Sequence, residues 1–161
     1  MAERLYAQLS FEQAVRKYAS CVRGVCVMRL QNAADADDCF QNTFLKLYTK
    51  SPEFKNEEHL KAWLLRVAIN ECKQFLRRNR RHLPLEYAAD IPLPSAEDES
   101  DISWAIMRLE PKYREILYLY YGEGYETAEI AQILGMNHNT VRTNLKRGRD
   151  KLKKLYGGDE E

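Results

Sequence analysis

The sequence predicts an all-α fold built from two small helical domains. Two observations carry this. Apolar residues recur at helical spacing through most of the chain, with no persistent strand-like alternation. That periodicity stops between 83 and 99, where Pro84, Pro92 and Pro94 break any helix and Glu97, Asp98 and Glu99 follow. The expected domains are therefore 1–82 and 101–161, joined by an acidic, Pro-containing linker at 83–100.

In the first half, a helix near 10–30 places Phe11, Ala14, Val15, Tyr18, Ala19, Val22 and Cys26 on one face, with Ser10 as its N-cap. A second, near 35–49, carries Ala36, Cys39, Phe40, Thr43, Phe44, Leu47 and Tyr48 as its apolar stripe. Asp35, Asp37 and Asp38 sit in its first turn, where the helix dipole favours anions. A polar loop from Lys50 to Glu58, broken by Pro52, leads to a third helix near 59–80. This helix buries Leu60, Trp63, Leu64, Val67, Ala68, Cys72, Phe75 and Leu76, and ends in Arg77, Arg78, Arg80 and Arg81.

Beyond the linker, helical spacing resumes with Ile102, Ala105, Ile106 and Leu109, and Pro111 suits the first position of the next helix. That helix carries Ile116, Leu117 and Tyr120 and is broken by Gly122 and Gly124. A short helix near 127–134 presents Ile130, Ala131 and Leu134 and stops at Gly135, which is free to take positive φ. Asn137 caps a last helix near 138–155, whose inward face is Val141, Leu145, Gly148 and Leu152.

The chain has 161 residues, of which 45% are hydrophobic, enough for helical cores. No apolar run approaches the roughly 18 residues of a membrane span. The first ten residues hold Glu3 and Arg4 and no apolar core, so no leader and no membrane insertion are expected, and the chain reads as cytoplasmic. Net charge is only +1, but it is unevenly spread: +6 over 1–82, −6 over 83–110 and +1 over 111–161. Within the last block, 142–154 hold seven basic residues and one acid. Two basic regions flanking an acidic connector suit nucleic acid better than the net charge suggests.

Cys21, Cys26, Cys39 and Cys72 form no Cys-x-x-Cys pair and have no histidine near them in sequence, so they read as small packed hydrophobes. His59, His82 and His138 are scattered, and no nucleophile–base pair or phosphate loop is visible. No cofactor, metal or catalytic residue is expected, and the protein reads as a binder rather than an enzyme.

Two helices joined by a short turn containing Gly, the second of them basic, are the signature of a helix-turn-helix. The inward spacing of the last helix leaves His138, Asn139, Arg142, Thr143, Lys146 and Arg149 facing out, with Arg147 at the border and Thr140 on the first turn. Arginine can pair with a guanine edge, Asn and Thr can reach bases, and Lys can hold phosphates. A solvated amphipathic helix is the plainer alternative.

The stretch TAEIAQILGMNHNTVRTNLKRGRDKLKKL at 127–155 resembles the last conserved region of extracytoplasmic-function sigma factors, the small members of the sigma-70 family. DADDCFQNTFLKLY at 35–48 and HLKAWLLRVAINECKQFLRRNRR at 59–81 resemble their second conserved region. The resemblance runs from about Phe11 to Leu155. It implies a transcription initiation factor that binds core RNA polymerase and promoter DNA, commonly restrained by an anti-sigma protein. It also implies residue roles. Asp38, Gln41, Asn42 and Leu45 on the second helix would grip the polymerase. Phe54, Lys55 and Asn70 would form one pocket for an unstacked base of the melted element, or Phe54 merely pins its loop to the core. Arg77 and Arg78 would touch DNA nearby, and His138, Asn139, Thr140, Arg142, Thr143, Lys146 and Arg147 would read the distal duplex element. The acidic linker either follows the polymerase path meant for RNA or is a plain spacer.

The sequence departs from the family pattern at three places: Asn144 replaces an arginine, Gly148 an alanine, and Glu126 the serine expected to cap the first helix of the pair. Glycine at 148 could allow close packing against the preceding helix. The competing reading is a one-component regulator with an N-terminal helical sensor domain and the same C-terminal reader.

Overall fold

The structure is a computed structural model that describes residues 4–30, 32–50, 52–79 and 105–156. Six helices follow in order: α1 (Phe11–Leu30), α2 (Ala33–Lys50), α3 (Glu57–Asn79), α4 (Pro111–Leu117, continuing as a π-helical turn Tyr118–Gly122), α5 (Thr127–Leu134) and α6 (His138–Tyr156). No strand occurs among the described residues. The acidic linker lies outside them.

Helices α1, α2 and α3 pack on one another around a core that includes Val22, Val25, Leu47, Leu60 and Leu64. α2 and α3 each start two residues before the expected position, at Ala33 and Glu57. Ser10 caps α1 as expected, and Gln13 completes a reciprocal box: the Gln13 N–H donates to Ser10 Oγ at 3.1 Å and the Ser10 N–H donates to Gln13 Oε1 at 2.8 Å. The buried arc of α3 is wider than its predicted stripe. Leu65 and Ile69 are fully buried, while Trp63, Val67, Phe75 and Leu76 are half-buried. A helix covered by two neighbours buries more than one stripe. All four cysteines are buried and unpaired. Cys21, kept from water, has its thiol pushed up to about 11.

Two expectations need correction. Tyr48 is not on the buried stripe of α2 but 61% exposed, its ring meeting Phe11 edge-on at 5.3 Å. The segment expected to resume helix near 102–109 is helical at Ala105 and Ile106, then turns through 107–109 into Glu110, which precedes Pro111 at the start of α4.

In the second half, α4 packs on α6 and α5 on α6. Gly148 explains the first contact: a Cβ there would sit 3.3 Å from Leu117 Cδ1 and 3.4 Å from Tyr113 Cβ. Glycine at 148 does permit close packing, but against α4 rather than the helix immediately before it. Gly135 ends α5 at φ 65°, and the Met136 N–H returns to the Ala131 carbonyl at 2.9 Å. Asn137 Oδ1 accepts the Asn139 N–H at 2.8 Å, capping α6. At Glu126, where a serine cap was expected, Glu129 Oε1 accepts the Glu126 N–H at 2.9 Å. The two halves also pack against each other, α1 on α4 and α3 on α5.

Candidate nucleic-acid interface

Three surfaces carry the residues singled out in the sequence. The first is the outer face of α2. Asp38, Gln41, Asn42 and Leu45 are all exposed and lie at i, i+3, i+4 and i+7, so they form one row. Leu45 is 59% exposed, an apolar residue left without cover on a mainly polar face. Tyr48 extends the row by one turn. Its assignment to the core hid it from the sequence reading, although its spacing from Gln41 and Leu45 was the available signal.

The second surface is the loop before α3 and the outer face of α3. Phe54 is half-buried, its ring edge-on to Trp63 at 5.6 Å and to His59 at 5.3 Å. The Lys55 N–H donates to His59 Nδ1 at 3.1 Å, and the His59 N–H to Asn56 Oδ1 at 2.8 Å, so the loop is tied to the first turn of α3. Phe54 thus pins the loop and at the same time lines a cleft of about 760 Å³ with Lys55, Leu5, Ala7 and Gln8. The N-terminal wall of that cleft is a tight turn. Tyr6 and Leu9 exchange backbone hydrogen bonds at 2.7 and 3.0 Å while Ala7 and Gln8 take φ of 51° and 70°. Such left-handed backbone at two non-glycine residues costs energy that the surroundings must offset. Sequence periodicity held no signal for this wall.

Asn70 is exposed, but the structure does not bring it into the cleft of Phe54 and Lys55. It lines a separate cleft of about 340 Å³ with Arg66 and residues 132–135. The reason is helical rise. Asn70 lies two turns beyond Trp63, about 11 Å along the axis. A single pocket made by all three residues is therefore replaced by a strip along one face of α3, running from His59 through Trp63 and Arg66 to Asn70. Arg77 and Arg78 stand exposed on the last turn of the same helix.

The third surface is α6. His138, Asn139, Thr140, Arg142, Thr143, Lys146 and Arg147 are all exposed, while Val141, Leu145 and Leu152 are buried against the domain. The guanidinium of Arg142 donates to Asn139 Oδ1, so two candidate base readers are linked on the first turns. Thr127 Oγ1 lies 2.7 Å from His138 Nε2, joining the first residues of the two helices of the pair. Arg149 faces out as expected, and is also held in place: Nε donates to the Tyr121 hydroxyl at 2.7 Å and the guanidinium lies over both Tyr120 and Tyr121. Asn144 is buried, so the position where an arginine was expected does not belong to the exposed face.

The exposed basic face of α6 and the aromatic, amide-bearing strip of α3 are two separate surfaces, each of a composition that suits nucleic acid. Comparison with known proteins identifies the family. The model for Sigma-70 region 2 matches residues 14–82 and that for Sigma-70, region 4 matches 101–152. The chain is 28% identical over 152 residues to the ECF RNA polymerase sigma factor SigM of Mycobacterium tuberculosis, covering 92% of this chain and 78% of that one. It is 29% identical over 160 residues to the RNA polymerase sigma factor CarQ of Myxococcus xanthus, covering 94% and 91%. The fold resembles the sigma factor RpoE solved in complex with the anti-sigma factor NepR from Bartonella quintana, with a TM-score of 0.73, 23% identity and coverage of 93% and 98%. The chain belongs to the extracytoplasmic-function group of the sigma-70 family.

Proposed function

We propose that the α2 row of Asp38, Gln41, Asn42, Leu45 and Tyr48 docks on core RNA polymerase, and that the other two surfaces read two separate promoter elements. The chain is a transcription initiation factor of its family, and a one-component regulator is not favoured, because residues 14–82 match a sigma-70 region rather than a sensor domain. Residues 1–82 serve polymerase and the melted element, and 101–161 serve the distal duplex element.

The melted element is recognised as single strand. The cleft bearing Phe54 and Lys55 takes an unstacked base, for which an aromatic ring offers a stacking face and a lysine a phosphate partner. Asn70 meets the same strand farther along α3, and Arg77 and Arg78 hold its backbone. Extruding a base costs a few kcal/mol, which binding at the strip offsets, so opening needs no covalent step from this protein. The distal element is read in the major groove by the first turns of α6, through Asn139, Thr140, Arg142 and Thr143, with His138, Lys146 and Arg147 at the flanks.

The protein works in the cytoplasm, catalyses no reaction and needs no cofactor. None of the described helices is long and apolar enough to cross a membrane. An anti-sigma protein restrains it, as the anti-sigma factor NepR accompanies the sigma factor RpoE in its solved complex.

The observation that carries this reading is the presence of two exposed, chemically distinct DNA-competent surfaces in one chain that matches sigma-70 regions 2 and 4 in order. The test is transcription by purified core polymerase from genomic fragments of the source bacterium. Selective transcripts that depend on this chain support the reading. Their absence, while a control sigma factor is active, refutes it.

A further inference from the structure

The cleft that bears Phe54 and Lys55 has a second wall, the turn at residues 6–9. This turn precedes the stretch matched by the Sigma-70 region 2 model, 14–82. Its two central residues, Ala7 and Gln8, both take positive φ, a pairing that two-residue turns usually give to Gly, Asn or Asp. Neither residue favours that backbone, yet both ends of the turn are fixed. Tyr6 is 2% exposed, its ring edge-on to Phe11 at 6.0 Å and the Arg4 guanidinium 5.5 Å from its centre. Leu9 is half-buried. Backbone held in such a conformation by packed anchors clusters where a site requires it. What the anchors hold out here is the Gln8 side chain, exposed and lining the cleft.

Phe54 and Lys55 cannot tell one base from another, since a ring face accepts any base and an ammonium any phosphate. Discrimination needs directional donors and acceptors. The cleft offers Gln8, Asn56 and three carboxylates, Glu53, Glu57 and Glu58. Two of these are already engaged. Asn56 Oδ1 accepts the His59 N–H at 2.8 Å, while Glu57 accepts the Tyr18 hydroxyl at 2.9 Å and pairs with Lys17. Gln8, Glu53 and Glu58 are all exposed. Their shared bias is acceptance. An amide oxygen and two carboxylates take hydrogen bonds from an exocyclic amine, which adenine and cytosine carry and thymine lacks. The cleft, about 760 Å³, has room for a base between Phe54 and the turn.

We infer that the N-terminal turn belongs to the base-reading apparatus, with Gln8 the residue that selects an amino-bearing base, adenine or cytosine, at the position Phe54 stacks. Tyr6 and Leu9 are its positioning residues. The backbone at 7 and 8 sets the amide on the wall facing the ring, so the base meets a preformed surface and no loose segment has to be ordered. Glu53 and Glu58 disfavour strand phosphates, which confines the backbone to the side of Lys55. This deepens the proposed role of the cleft in holding an unstacked base and rests on it.

The test uses core polymerase with the full chain on a responsive promoter whose melted element is varied one position at a time. Yields of the specific transcript give the base preference at each position for wild type and for Gln8→Gly, which suits positive φ and removes only the amide. Circular dichroism establishes that the variant is folded. In parallel, a photoreactive amino acid placed at position 8 or at position 55 is crosslinked to promoter DNA in the open complex. The expected result is one position that favours adenine or cytosine over thymine in wild type and loses that preference by about tenfold in Gln8→Gly, within what a good bidentate contact discriminates. Both crosslinkers should label that same base. If position 55 labels a melted base but position 8 labels none, or if Gln8→Gly leaves every preference unchanged or lowers all yields alike, the reading role of the turn is overturned while the cleft stands. A preference for thymine at the base labelled from position 8 overturns the selection of an amino-bearing base. If neither position labels the melted strand, the role of the cleft itself fails.

Discussion

The Arg149 guanidinium donates from Nε to the Tyr121 hydroxyl at 2.7 Å, tying the middle of the recognition helix to the end of α4. Its charge also rests on the faces of Tyr120 and Tyr121. An arginine so engaged orients the helix rather than reading bases. Arg149→Ala should lower stability by about 0.5–1 kcal/mol, the usual worth of an exposed cation–π contact, and leave relative preferences among distal-element variants unchanged. Urea denaturation with competition binding checks both. A changed base preference would place Arg149 in the groove instead.

Arg142 and Lys153 should behave differently. Arg142 is exposed on the first turns of α6, linked to Asn139. Lys153 is about three turns farther along. Arg142→Ala should relax preference at one position of the distal element by about 1–3 kcal/mol, the worth of a good bidentate arginine–guanine pair. Lys153→Ala should weaken all sequences alike and make the salt slope shallower by up to about 1. Competition against a library of distal-element variants at several salt concentrations separates the two. A uniform loss for Arg142→Ala would move the reading role to Thr143 or Lys146.

The α2 row can be tested without disturbing the core. Asp38 and Gln41 are exposed opposite the buried stripe, and exposed substitutions usually change stability by no more than about 0.5 kcal/mol. Asp38→Ala with Gln41→Ala should weaken binding to core polymerase in a fluorescence titration while leaving the thermal midpoint nearly unchanged. Unchanged affinity would remove this face from the interface.

Asn70→Ala should impair promoter opening more than initial binding, because its proposed partner is an unstacked strand. Permanganate reactivity of promoter thymines, measured beside a footprint of the distal element, distinguishes the two steps. Equal loss of both signals, or of neither, would contradict a role confined to the melted strand.

Much of the fold was legible because it is written locally. Ser10, Pro111, Gly135 and Asn137 mark helix ends through their own backbone chemistry, and the inward residues of α6 follow one helical period. The exposed faces of α2 and α6 were legible for the same reason, as complements of those stripes. What could not be read depends on contacts between segments far apart in sequence. The burial of Ile133, Arg114 and Glu115, the approach of Tyr118 to Gly24, and the separation of Asn70 from Phe54 all arise from how helices are placed against one another. Periodicity within one helix carries no information about that placement. Arg149 belongs to the same group, since its tyrosine partners lie 28 and 29 residues away.

The central claim is that two reading surfaces on one chain recognise two promoter elements together. The direct measurement is start-site mapping with core polymerase and this protein on a responsive promoter, with the melted and distal elements scrambled one at a time and the spacing between them varied. The account predicts that scrambling either element abolishes the specific start, and that restoring both at the original spacing recovers it. Full initiation after either element is scrambled would contradict it.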